Sequence, residues 1–141
     1  MIVSGSGTLK VNRPASNDQH PSVTVTDTAT LEYASGAKLG DGTVTLGAGT
    51  TFAFANSGST LSLPSPIVLP DSGVATLRIG GDRLKSGDHT ILASAPEGAA
   101  AHLAIDQSSL AIDGRKYSLT EKEGALVLNI VPIPGLMLII R

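Results

Sequence analysis

The chain has 141 residues, enough for one domain with a true core, and 41% of them are hydrophobic, which excludes a disordered chain. Charged residues make up only 16%, with a net charge of −2 and no basic stripe, so nucleic acid and anionic membrane surfaces are not expected partners. Cysteine is absent, which rules out disulfides, thiol chemistry and Cys-ligated zinc.

Aromatic residues are limited to Tyr33, Phe52, Phe54 and Tyr117, so stacking platforms for bases or sugars are poorly supplied. Val, Leu, Ile and Ala must build the interior. At the start, Met1-Ile2-Val3 runs straight into Ser4-Gly5-Ser6-Gly7 without the features of a signal peptide, and we expect an interior piece of a longer protein.

Thr8-Leu9-Lys10-Val11 alternates polar and apolar as a half-buried strand does. Asn12 to Pro21 is a polar loop. A unit then appears twice: Val23-Thr24-Val25 returns as Val44-Thr45-Leu46, and Thr30-Leu31-Glu32-Tyr33 as Thr51-Phe52-Ala53-Phe54, both 21 residues on. A fixed period of this length with short strands predicts stacked rungs of a β-solenoid. Val23, Val25, Leu31, Tyr33, Val44, Leu46, Phe52 and Phe54 are expected to face inward, with Thr24, Thr26, Glu32, Thr45 and Ala53 outward. Gly36, Gly40-Asp41-Gly42, Gly47, Gly49 and Gly58 mark the corners.

The period breaks at Pro64-Ser65-Pro66, where a corner or edge is expected. Short strands follow at Ile67–Leu69, Ala75–Ile79, His89–Ala93, Leu103–Ile105, Leu110–Ile112, Tyr117–Leu119 and Leu126–Val131. Pro96 to His102 is the one helix-tolerant stretch. Asp113-Gly114 and Glu121-Lys122-Glu123-Gly124 read as turns. The expected architecture is all-β: solenoid rungs over 1–64 (repeats 23–43 and 44–64), a β-rich cap over 65–131, and an apolar tail over 132–141. That tail is too short to span a bilayer, which needs about 20 residues.

No site stands out. His20, His89 and His102 are far apart and read as solvated surface residues rather than metal ligands. Asp41, Asp71, Asp82 and Asp113 each adjoin or lie near glycine and read as turn residues, without the short-period acidic glycine repeats that hold calcium. Asp27, Glu32 and Lys38 lie on or near adjacent rungs and are the candidates for a polysaccharide-cleaving groove; paired carboxylates are what that chemistry needs. No Gly-x-Ser-x-Gly elbow and no phosphate loop occur. We expect no catalytic residues, no cofactor and no metal.

Gly5-Ser6-Gly7-Thr8-Leu9-Lys10-Val11, Val23-Thr24-Val25, Ala29-Thr30-Leu31, Gly40 to Leu46 and Gly49 to Phe54 together resemble the autotransporter-associated β-strand repeat of bacterial surface proteins. Ser86 to Leu92, and Tyr117-Ser118-Leu119 with Leu126-Val127-Leu128, resemble the segment that ends many such proteins. Val131-Pro132-Ile133-Pro134 is similar to their Val-Pro-Glu-Pro sorting motif, with Ile133 in place of the Glu. The resemblance implies a right-handed β-helix, secreted or displayed on the cell surface, that presents, adheres or spaces. Its partners would be upstream repeats of the same protein or other copies, with glycan or a host surface as the alternative. Glycan-binding adhesin and polysaccharide lyase or hydrolase are the competing functions.

Overall fold

The computed structural model describes residues 2–11, 22–34, 42–106 and 114–132. Among the described residues twelve strands follow in chain order: β1 (Ile2–Val3), β2 (Thr8–Val11), β3 (Val23–Val25), β4 (Thr30–Tyr33), β5 (Val44–Leu46), β6 (Thr51–Asn56), β7 (Ile67–Val68), β8 (Ala75–Gly81), β9 (Gly87–Leu92), β10 (Leu103–Ile105), β11 (Arg115–Lys122) and β12 (Ala125–Pro132). The all-β expectation holds, and the only helix among the described residues is one 3-10 turn at Ala99–His102, entered through Gly98 at positive φ.

The strands sort into three open sheets. β1-β3-β5-β7 form one, β10-β8-β6-β4-β2 a second, and β11-β12-β9 a third. The first two are parallel throughout, and from β1 to β8 the chain steps alternately from one to the other. Both repeats pair in the register that their spacing predicts, with Val23 beside Val44 and Leu31 beside Phe52.

The pairing outlasts the sequence repeat. Beyond Pro64 the spacing lengthens, yet Ile67 still lies beside Val44 and Thr76 beside Thr51, and Leu103 then adds beside Ala75. Extra residues enter the connections and leave the ladders intact. Pro66 fits because it uses only its carbonyl, which accepts from Val44 N at 2.8 Å, and β7 is an edge strand.

Side-chain alternation turns this register into a core. Leu9, Leu31, Phe52, Leu77 and Ile105 form one inward row, and Val11, Tyr33, Phe54 and Ile79 the next. Tyr33 and Phe52 meet edge to face, with centroids 5.2 Å apart. All eight residues expected to face inward are buried. Ala53 corrects the expectation in one respect: it occupies an outward position yet is only 4% exposed, because its methyl group is overtopped by longer neighbours in the same row.

Corners are joined between successive layers. The Asp27 carboxylate accepts from Gly5 N at 3.0 Å, and Asp82 accepts from Gly58 N at 2.8 Å. Buried Asn56 holds the 57–62 loop by donating to the carbonyls of Gly58 and Thr60 and accepting from Ser62 N. Gly81 has φ of 86°, and a Cβ there would lie 2.2 Å from the Asn56 carbonyl oxygen, so only glycine fits.

The third sheet is antiparallel, and Leu126, Leu128 and Ile130 of its central strand join the same core as the inward rows. β12 is therefore flanked on both sides, where the sequence suggests a closing strand. β11 and β12 meet through Glu123-Gly124, both at positive φ, a tighter turn than the four residues expected. The Asn12 to Pro21 loop, the Leu110–Ile112 strand, the Asp113-Gly114 turn at Asp113, and the tail beyond Pro132 lie outside the described residues.

Candidate functional site

Outward positions of the five-stranded sheet make the most structured polar surface among the described residues. Register places Thr8, Thr30, Thr51 and Thr76 in one row across β2, β4, β6 and β8. The next row reads Lys10, Glu32, Ala53, Arg78, and Asp106 extends it just past β10. A third row holds Ala34, Ala55 and Gly80.

Charges in the middle row pair with their neighbours. Lys10 Nζ lies 3.5 Å from Glu32 Oε2, and Arg78 Nε donates to Asp106 Oδ2 at 3.1 Å. These side chains remain between 25% and 57% exposed, so the pairs add little stability on their own. Ala53 leaves a gap between Glu32 and Arg78 about two strand spacings wide, roughly 9.6 Å. The result is an open hollow of about 370 Å³ floored by Ala53, Ala55 and Gly80 and walled by Lys10, Glu32 and Arg78.

The sequence candidates do not converge there. Glu32 lines the hollow, whereas Asp27 is held at a corner by Gly5 N, so the two carboxylates serve different partners. Lys38, like His20, Asp41 and Asp113, lies outside the described residues. Asp71 is exposed, and Asp82 caps the Gly58 corner. Among the described residues, no three His, Asp or Glu side chains gather as a metal site would require.

His89 overturns its expected place on the surface. It is 1% exposed, its Nδ1 accepts from Leu61 N at 3.1 Å, and its Nε2 lies 2.7 Å from the Lys85 carbonyl. Those partners assign the proton to Nε2 and make the ring a fastener between β9 and two loops. The available signal in the sequence is that His89 is in phase with apolar Ile91, while Asp88 and Thr90 are polar; both His89 and Ile91 are buried. His102 lies 2.8 Å from the Gly73 carbonyl through Nδ1.

A second polar group sits on the third sheet. Asp88 accepts from Lys122 at 3.0 Å and from Asn129, across all three strands. These hydrogen bonds hold the Asp88 carboxyl below its ordinary value, and the Asp88 partner raises the Lys122 amine above its own. Both side chains are exposed, Lys122 at 63% and Asp88 at 45%, and the cluster is a surface clasp. Arg115 Nη1 donates to the Leu84 carbonyl at 2.6 Å and fixes the start of β11. Burial, and then the nearby Arg83, lower the Arg115 guanidinium.

Comparison with protein-family models, with curated proteins and with solved structures gives no match. No helix among the described residues is long and apolar enough to cross a membrane.

Proposed function

We propose that the chain is a non-enzymatic structural element: the capped C-terminal part of a right-handed β-solenoid that scaffolds display or adhesion on a secreted or bacterial-surface protein. The observation that carries this reading is the alternation of β1 to β8 between two parallel sheets in matched register, with continuous apolar rows between them. Such stacking makes stability a sum of layer and interface terms and gives a stiff rod rather than a reactive cleft.

Two further features fit. The antiparallel sheet adds its apolar strand to the core, and the Tyr117 hydroxyl of β11 donates to the Ile105 carbonyl of β10 at 3.2 Å, an arrangement that fits a cap. At the other end Leu9, on the inward row, is 37% exposed where its neighbour Leu31 is buried, an apolar edge suited to preceding repeats of the same kind. Glycan stacking has less to work with, since Tyr33, Phe52 and Phe54 are buried.

Duplication of a whole layer tests the proposal. Inserting a second copy of residues 23–43 after position 43 should yield a folded protein with the same circular dichroism per residue and a higher melting temperature. Inserting only residues 23–33 should unfold it. A whole-layer duplicate that fails to fold would refute the solenoid reading.

A further inference from the structure

The outer face of the five-stranded sheet carries a sign pattern that is complementary to itself. Across the strands the middle row reads positive, negative, neutral, positive, negative: Lys10, Glu32, Ala53, Arg78, Asp106. Reversed, the same row reads negative, positive, neutral, negative, positive. Every charged position then meets its opposite.

We propose that this face is a docking surface for a second copy of the same chain, related by a twofold axis that runs parallel to β6 over Ala53. That operation reverses the order of strands and preserves their direction, so each row stays opposite itself. Lys10 then faces Asp106 of the second copy, Glu32 faces Arg78, and Ala53 faces Ala53. In the flanking rows Thr30 faces Thr76, Thr51 faces Thr51, Ala55 faces Ala55 and Ala34 faces Gly80. An isologous contact requires such self-complementarity, and a single substitution alters it twice.

Steric terms agree with the charges. On the axis lie Thr51, Ala53 and Ala55, and the strands beside it carry Thr, Ala and Gly in the flanking rows, while the hollow over Ala53 receives the long Glu32 and Arg78 side chains of both copies. The pairs within one chain become four-charge networks between two, which outperform isolated surface pairs. Thirteen described outward positions, five in each of the first two rows and three in the third, each about 4.8 Å by 6.7 Å, give roughly 400 Å² per copy and about 800 Å² in all. That total lies at the low end of specific interfaces and implies a weak, salt-sensitive dimer.

The test is a charge-swap experiment on the full chain, read by sedimentation velocity at low and high salt. The wild type is expected to shift from monomer to dimer with concentration, and the shift to recede as salt rises. Glu32→Arg and Arg78→Glu, each folded by circular dichroism, should each weaken self-association by about tenfold or more, because like charges then face each other twice. Mixed one to one, the two variants should recover a dimer, since Arg at position 32 meets Glu at position 78 and the native partners remain at the other end. As an independent measurement, Thr51→Cys in this cysteine-free chain should be joined by a short bis-maleimide, and Thr24→Cys on the other sheet should not. A wild type that stays monomeric into the millimolar range overturns the proposal. So does a mixture that recovers nothing, or equal cross-linking at positions 51 and 24.

Discussion

Truncating leucines along one inward row should reveal where the stack is closed and where it is open. Leu9 and Leu31 are neighbours in register on β2 and β4, with the same chemistry and the same facing, but Leu31 is fully buried and Leu9 is 37% exposed. Leu31→Ala removes three carbons from a sealed interior, about 2.4 kcal/mol of transfer free energy at about 0.8 kcal/mol each, and a residual cavity raises the loss to about 3 kcal/mol. Leu9→Ala removes the same atoms from a site already partly wet and leaves no enclosed void, for about 1 kcal/mol. With a urea dependence of about 2 kcal/mol per molar, the unfolding midpoint should fall by about 1.5 M for Leu31→Ala and about 0.5 M for Leu9→Ala. Equal losses at the two positions would refute the account, because they would mean that something covers Leu9 as completely as β2 covers Leu31.

Three other outcomes follow from the packing. His89→Ala should cost about 3 kcal/mol in urea unfolding, since Leu61 N and the Lys85 carbonyl both lose a buried partner, and the Leu61 amide should exchange its hydrogen faster. Gly81→Ala should cost more than about 2 kcal/mol, from the Asn56 carbonyl clash and the positive φ together, while Gly7→Ala, which meets no atom within 4 Å, should be mild by comparison. The Asp88 clasp sets a pH dependence at both ends. Its carboxyl is depressed on folding, so its contribution is complete above the ordinary carboxylate value and lost as pH falls through the depressed one; Lys122 is raised, so its contribution is complete below the ordinary amine value and lost as pH climbs through the raised one. NMR titration of the Asp88 carboxyl should show its midpoint move up in Lys122→Met, and an unmoved midpoint would dismiss the clasp.

Legibility followed physical periodicity. Alternation and the 21-residue spacing identified the strands from β2 to β6 and their inward faces, because both depend on local sequence whose inward apolar positions recur at a fixed interval. Continuation through β7, β8 and β10 was hidden because ladder register is set by backbone hydrogen bonds, which tolerate connections of any length, whereas a sequence period does not. The charged row was invisible for the same reason. Lys10, Glu32, Arg78 and Asp106 are irregularly spaced in the chain and become neighbours only once the strands are aligned. His89 was misplaced by composition, which favours surface histidines, although Thr90 and Ile91 beside it carried the alternation that buries it. The buried, hydrogen-bonded ring shows that a lone polar residue on an inward strand position deserves the burial reading first.

The β11–β12 hairpin also has a bearing on biosynthesis. Its strands pair over eight residues each and close through a two-residue turn, while each parallel pairing must wait for a partner more than 20 residues away. Hairpins form in roughly 1–10 μs, and distant pairings come later because loop closure precedes any reward. A ribosome delivers the parallel strands first, so the fastest nucleus emerges after them. The parallel strands leave the exit tunnel before this hairpin exists, and their ordering is therefore tied to its emergence.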